Sequence, residues 1–203
     1  TRKPSRRPSP SPTVSSSPTV SPTVKCFDDR DELRSAVRAY DEDDCTENKQ
    51  DCTLTQTYGW PMNSWCVGGI EDMTGLFFGM NKFNEKISDW DISSVTSLKN
   101  MFRLASKFDG DISDWDVSSV TDMSGLFAFA SAFSGDISSW DVSSVRKSTS
   151  MFASTTSFDS DLSSWRLSEV TDMQLMFFDA KSFDSGKKKC ILSYQLFGER
   201  VHL

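Results

Sequence analysis

The sequence predicts an α/β repeat solenoid: a right-handed coil with short parallel strands on one face, short helical or 3-10 turns on the other, and an N-terminal helical cap. Two observations predict it. Five tryptophans recur every 25 residues, at Trp65, Trp90, Trp115, Trp140 and Trp165. Two phenylalanine columns keep the same register, namely Phe77, Phe102, Phe127, Phe152 and Phe177, and Phe83, Phe108, Phe133, Phe158 and Phe183. A fixed period of this length is typical of units that stack around a shared core, so we expect the tryptophans to form a buried core ladder.

The overall composition excludes several classes of protein. The chain has 203 residues, a net charge of −7 and 37% hydrophobic residues. No stretch approaches the roughly 18 apolar residues that a membrane span needs, so we expect none. The single histidine, His202, lies in an unpatterned C-terminal segment. A Ser-His-Asp or Cys-His enzyme is therefore not expected.

Residues 1–24 differ in composition from the rest, because 17 of these 24 residues are Pro, Ser or Thr. Such a segment has little to bury and favours extended geometry, so we expect a disordered stalk. It is either a plain spacer or an O-glycosylated surface stalk. Thr1 opens the sequence without the features of a signal peptide, so we expect any such peptide to be missing from this fragment.

Residues 25–64 are predicted to form an N-terminal cap with one helix at about 28–41. The segment Asp29-Arg-Asp-Glu32 is an acidic capping box. Leu33, Val37 and Tyr40 follow at helical spacing and give that helix one apolar face. The cap is well placed to cover the exposed face of the first repeat.

Residues 65–190 are predicted to hold five 25-residue repeats, followed by an irregular tail at 191–203. The Ser-Ser-Val-Thr segment of each unit, as at 118–121, suits a short strand, which would pair in parallel with its copies. Leu126, Phe127, Ala130 and Phe133 have steps of three and four, which indicate a short helix or 3-10 turn. One strand, one helical turn and one corner per unit is leucine-rich-repeat geometry.

The repeat phrase Trp-Asp-Val-Ser-Ser-Val-Thr-Asp-Met-Ser-Gly-Leu-Phe at 115–127, with Gly-Asp-Ile-Ser at 135–138, resembles the repeat of BspA-like leucine-rich repeat surface proteins. The resemblance covers about 65–190. It implies a secreted or surface-exposed, non-catalytic repeat domain in a family linked to adhesion and matrix binding.

Four cysteines, Cys26, Cys45, Cys52 and Cys66, lie in or beside the cap and are candidates for disulfides. Their spacings fit no zinc pattern and no histidine is near, but the sequence leaves all three pairings open. Disulfides favour an oxidising compartment, so we expect an extracellular or cell-surface location.

The abundant acids allow two interpretations. Asp91, Asp116 and Asp141 form one column of the repeat, and such columns either bind calcium or cap turns. Asx-turns need no ion, so we favour turn capping and expect no metal and no cofactor. Residues 25–203 carry a net charge of −11, which disfavours nucleic-acid binding.

Two rows of residues follow the valine of the predicted strand, which is Val120 in the segment 118–121. These rows vary from repeat to repeat, while the core columns do not. The predicted binding surface is Thr96, Thr121, Arg146 and Thr171 in one row and Ser97, Asp122, Lys147 and Asp172 in the next. Solenoids bind extended partners through their strand face. Lys147 either compensates the charges of its acidic neighbours or, with Arg146, contacts an anion or glycan.

These observations predict a non-catalytic module for surface or extracellular recognition and adhesion. It would bind a protein, glycan or matrix partner through the strand face. The alternative is a structural spacer or coat component without a specific ligand. The sequence gives no expectation for the oligomeric state.

Overall fold

The computed structural model describes residues 24–42 and 53–183. Helix α1 spans Arg30–Glu42, helix α2 spans Thr53–Tyr58, and a 3-10 helix spans Met62–Ser64. Five coils follow, each beginning at one of the recurring tryptophans and numbered here from coil 1 at Trp65 to coil 5 at Trp165. The predicted stalk up to residue 23, the tail at 191–203, and Cys45 and Cys52 lie outside the described residues.

Helix α1 begins at a reciprocal cap. The Glu32 amide donates to Asp29 Oδ1 at 2.8 Å, and Glu32 Oε2 accepts from the Asp28 amide at 2.8 Å. Two otherwise unpaired amides at the helix start are thereby satisfied. Leu33, Val37 and Tyr40 are buried on the face that meets the repeats. The sequence predicted a helix over about 28–41, and the helix occupies Arg30–Glu42.

The cap packs on coil 1 through aromatic and ionic contacts. The Trp65 ring has the Tyr40 ring edge-on at 5.7 Å and the Phe27 ring at 5.3 Å. Arg30 of α1 forms an ion pair with Asp72 at 3.3 Å and donates to the Thr74 carbonyl at 2.6 Å. The first tryptophan of the ladder is therefore covered by the cap.

Backbone hydrogen bonds of two kinds alternate along each coil. In coil 2, the amides of Leu98, Asn100, Phe102 and Leu104 donate to carbonyls 24 residues later, in coil 3, at 2.9–3.0 Å. The amides between them, such as those of Met101 and Arg103, donate to the carbonyl three residues earlier in their own coil. The same alternation recurs at each of the four junctions between coils, so every coil is a chain of turns tied to its neighbour.

The predicted α/β repeat solenoid with parallel strands and helical turns is wrong. Among the described repeat residues there is no strand, and β-type pairing between adjacent coils is limited to isolated parallel bridges, one residue per coil, at Asp72, Ser97, Asp122, Lys147 and Asp172. The predicted strand residue Val120 instead closes a turn onto Val117.

The predicted helical segment of each unit is also a run of turns. In coil 3, Gly125 and Phe129 both have left-handed backbone, at φ 64° and 63°. An α-helix cannot continue through such residues.

The core is a stack of aromatic rings. Within a coil the two phenylalanines stack, as Phe102 does on Phe108 at 3.9 Å between ring centroids. Between coils each ring stacks on its equivalent, as Phe102 on Phe127 at 5.7 Å and Phe108 on Phe133 at 6.0 Å. These offset-stacked pairs add to the stabilisation that burial alone provides.

The five repeat tryptophans lie buried beside this stack, each 3–4% exposed. The Trp65 indole N–H donates to the Gly59 carbonyl in the cap, and each later indole N–H donates to the backbone carbonyl 28 residues earlier, as Trp115 Nε1 does to Ile87 at 3.2 Å and Trp140 Nε1 to Ile112 at 3.1 Å. The polar atom of a large buried ring is thereby satisfied, which removes the cost of burying it.

Candidate functional site

An open groove of about 400 Å³ crosses coils 2–5 on the face that carries the bridges. We call it the bridge groove. Coil 2 contributes Lys99, Asn100 and Arg103; coil 3 contributes Asp122, Ser124 and Gly125; coil 4 contributes Lys147, Thr149 and Ser150; and coil 5 contributes Asp172. The lining is polar or charged throughout, apart from one glycine.

The structure brings only part of the predicted binding surface into this groove. Asp122, Lys147 and Asp172 of the second row line it. Ser97, the first member of that row, lies outside and shares a 2.8 Å hydrogen bond between its hydroxyl and that of Thr74. The second row is also the row of bridge residues, so its backbone position is fixed by pairing between coils.

The first predicted row is exposed, but it does not line the groove and its threonines serve the backbone. The hydroxyls of Thr96, Thr121 and Thr171 each donate to the carbonyl 25 residues earlier, at 3.1–3.2 Å. This contact doubles the connection between coils at that point. Arg146 is exposed and breaks the threonine series in coil 4.

The middle of the groove lies where coil 3 has a glycine in a left-handed turn position. The equivalent residues are Gly75, Asn100, Gly125, Ser150 and Leu175, all with φ between 54° and 64°. A Cβ on Gly125 would collide with the Asn100 side-chain oxygen. Glycine at this position therefore lets the Asn100 side-chain oxygen lie against the backbone of coil 3.

Sequence reasoning missed most of the groove. It did not single out Lys99, Arg103 or the left-handed column, because attention fell on residues next to the strand valine. A signal was available: the column Thr74, Lys99, Ser124, Thr149 and Gln174 varies as much as the two predicted rows.

The groove holds three cations and two carboxylates. Both carboxylates cap turns, since Asp122 Oδ1 accepts from the Ser124 amide at 2.9 Å and Asp172 Oδ1 from the Gln174 amide at 3.3 Å. Across the residues that the structure describes, no ion pair involves Lys99, Arg103 or Lys147. The groove thus has a local excess of positive charge on an acidic protein.

The other acidic columns act as turn caps. Asp116 Oδ1 accepts from the hydroxyl and the amide of Ser118 at 2.6 and 3.0 Å, and these bonds lower the pKa of Asp116. Hydrogen bonds from the serine two residues later lower the pKa of the equivalent carboxyls in the same way, at Asp91, Asp111, Asp136 and Asp141. Within 24–42 and 53–183, no three His, Cys, Asp or Glu side chains cluster as metal ligands would.

A disulfide joins Cys26 to Cys66 and ties the start of the cap to the start of coil 1. The prediction that the cap contains a disulfide is confirmed. The bond is reinforced locally, because the Phe27 amide donates to the Cys66 carbonyl at 3.1 Å. No helix within the described ranges is long and apolar enough to cross a membrane.

The fold and groove define a repeat protein of stacked, turn-built coils with a polar surface groove. A family model described as "Mycoplasma protein of unknown function, DUF285" matches residues 43–155 and 110–193. The first match alone covers more than half of the chain, and the chain belongs to this family. Comparisons with curated proteins and with solved structures gave no match.

Proposed function

We propose that the chain is a BspA-like surface repeat protein, a non-catalytic recognition and adhesion module that binds a protein, glycan or matrix partner through the bridge groove. The observation that carries the proposal is a contrast between the buried core columns and the surface positions of the groove. The phenylalanine and tryptophan columns are identical in all five coils, whereas the groove positions differ from coil to coil. Stacking alone requires no such variation on one face.

The proposed location is supported by the cysteine chemistry. Disulfides persist in oxidising compartments and are rare where thiols are kept reduced. The Cys26–Cys66 bond therefore supports an extracellular or cell-surface site of action. Membership of the family is compatible with this location and adds nothing on the ligand.

We expect no catalytic activity from the acidic columns. General acid-base catalysis with two carboxylates needs environments that push their pKa values apart. Here hydrogen bonds from serine lower the pKa of every affected carboxyl in the acidic columns, so the repeated acids have equivalent surroundings.

A binding screen with one groove-filling variant tests the proposal. The protein is applied to immobilised matrix proteins and to a glycan array, as wild type, as Thr149→Trp and as Ser119→Trp. Thr149 lines the groove, while Ser119 is exposed in coil 3 outside it. Retention of wild type and Ser119→Trp with loss of Thr149→Trp supports groove recognition. Equal binding by wild type and both variants contradicts groove recognition. Absence of any binding favours the spacer alternative.

A further inference from the structure

We infer that the bridge groove recognises an acidic polysaccharide, with Lys99, Arg103 and Lys147 contacting its sulfate or carboxylate groups. This assignment rests on the proposed recognition function and names the class of ligand.

The three cations flank one coil from both sides. Lys99 and Arg103 belong to coil 2 and Lys147 to coil 4, so the cations border the groove on either side of Ser124 and Gly125 in coil 3. Coils joined by parallel bridges lie about 4.8 Å apart, which places the lysine backbones about 10 Å apart along the stack. Long side chains from both sides can therefore meet one anionic group above coil 3, or two groups in succession.

Across the described residues, the groove's own carboxylates form no ion pair with these cations. Asp122 and Asp172 each hold a backbone amide through Oδ1. Lys147 lies between them in the bridge row, yet forms no ion pair with either across the described ranges. Three cations against two carboxylates leave the groove positive on a chain of net charge −7.

The rest of the lining fits a sugar better than a peptide. Asn100, Ser124, Thr149 and Ser150 supply amide and hydroxyl groups that can exchange hydrogen bonds with sugar hydroxyls. No apolar side chain lines the groove to receive a peptide's hydrophobic anchor, which protein interfaces use at their centre. Arg103 also lies over an aromatic ring, because its guanidinium is 5.7 Å from the ring centre of Phe129, which is 43% exposed.

The test uses dextran sulfate and hyaluronate as probes, carrying sulfate and carboxylate respectively, with neutral dextran and poly-glutamate for comparison. Titrations use the full chain as wild type, Lys99→Gln, Arg103→Gln, Asp122→Asn and Lys107→Gln. Lys107 is an exposed lysine of coil 2 outside the groove, so its substitution matches the change in net charge. Asp122→Asn keeps the oxygen that accepts from the Ser124 amide and removes only the charge.

We expect only the groove substitutions to change binding, and we expect the direction of the change to depend on the charge that is removed. Lys99→Gln and Arg103→Gln each weaken binding of one or both acidic polysaccharides about tenfold, through loss of a charge-assisted contact. Asp122→Asn tightens binding about threefold by removing a nearby like charge, and Lys107→Gln changes it little. The preference between dextran sulfate and hyaluronate identifies the anionic group.

Three outcomes overturn the assignment. Equal losses for Lys99→Gln and Lys107→Gln indicate attraction to the whole protein rather than to the groove. Tighter binding of poly-glutamate than of either polysaccharide indicates an acidic peptide ligand. Binding of neither acidic polysaccharide removes the assignment. If a ligand from the screen is lost in Thr149→Trp but unaffected by Lys99→Gln and Arg103→Gln, recognition by the groove stands and the anionic class alone fails.

Discussion

Removal of the Cys26–Cys66 disulfide should destabilise the cap and expose the first tryptophan. The two cysteines are 40 residues apart in sequence. In the chain-entropy model, a cross-link closing a loop of that size stabilises the folded state by about 4 kcal/mol at 25 °C. The cap also buries one face of Trp65 through Tyr40 and Phe27, so its loosening lets solvent reach the end of the core.

The double variant Cys26→Ser/Cys66→Ser is the appropriate perturbation, because it leaves no single thiol able to pair with Cys45 or Cys52. Urea unfolding followed by tryptophan fluorescence should show a midpoint lower by about 2 M, given a slope of about 2 kcal/mol per molar urea. Wild type in reductant provides an independent comparison and should shift similarly. A loss of stability below about 1 kcal/mol would refute the view that this bond holds the cap on coil 1.

Three further predictions concern single residues. Burial raises the pKa of the Glu85 carboxyl above its ordinary 4.5. The charged carboxylate therefore destabilises the folded state, and stability is lost as pH rises through the folded-state pKa. Glu85→Gln should raise Tm near neutral pH, and the difference in Tm from wild type should disappear in acid. Trp115→Phe leaves the Ile87 carbonyl without its indole donor and should cost about 1–3 kcal/mol in chemical unfolding, with an equal cost for Trp140→Phe. Leu175 is 54% exposed with φ 55°, so Leu175→Asn should stabilise by up to about 1 kcal/mol, and a loss of stability would show that the side chain is needed.

The 25-residue period and the core residues could be predicted from the sequence, but the backbone conformation of the coils could not. Residues recurring every 25 positions, such as Trp90 and Phe102, are the ones buried inside the stack. The predicted strands failed because a short recurring segment such as Ser-Ser-Val-Thr at 118–121 meets only one requirement for a strand. In the structure, alternate amides bond within the coil, and that pattern replaces a continuous ladder.

The left-handed turns could not be predicted from the residue types that occupy them. Left-handed backbone is predicted most readily where glycine stands, as at Gly75 and Gly125. In other coils the same positions hold Asn100, Ser150 and Leu175, which adopt the same left-handed φ. Single-residue propensity does not predict this conformation for serine or leucine.

The site was predicted in part for a similar reason. Row variation drew attention to Asp122 and Lys147, which line the groove. The same reasoning included Thr121, whose hydroxyl donates a hydrogen bond to the Thr96 carbonyl. Arg103 reaches the groove from four residues beyond Lys99 because the intervening turns curl the chain, and that geometry is absent from a strand.

The central claim is that the coils seal one aromatic ladder inside and leave the outer face for recognition. Acrylamide quenching of Trp60→Phe tests it most directly, because Trp60 is the half-buried tryptophan and the other five, all in the ladder, are 3–4% exposed. The account predicts quenching far weaker than for the same protein in denaturant. Quenching that is nearly equal in the folded and denatured states would contradict it.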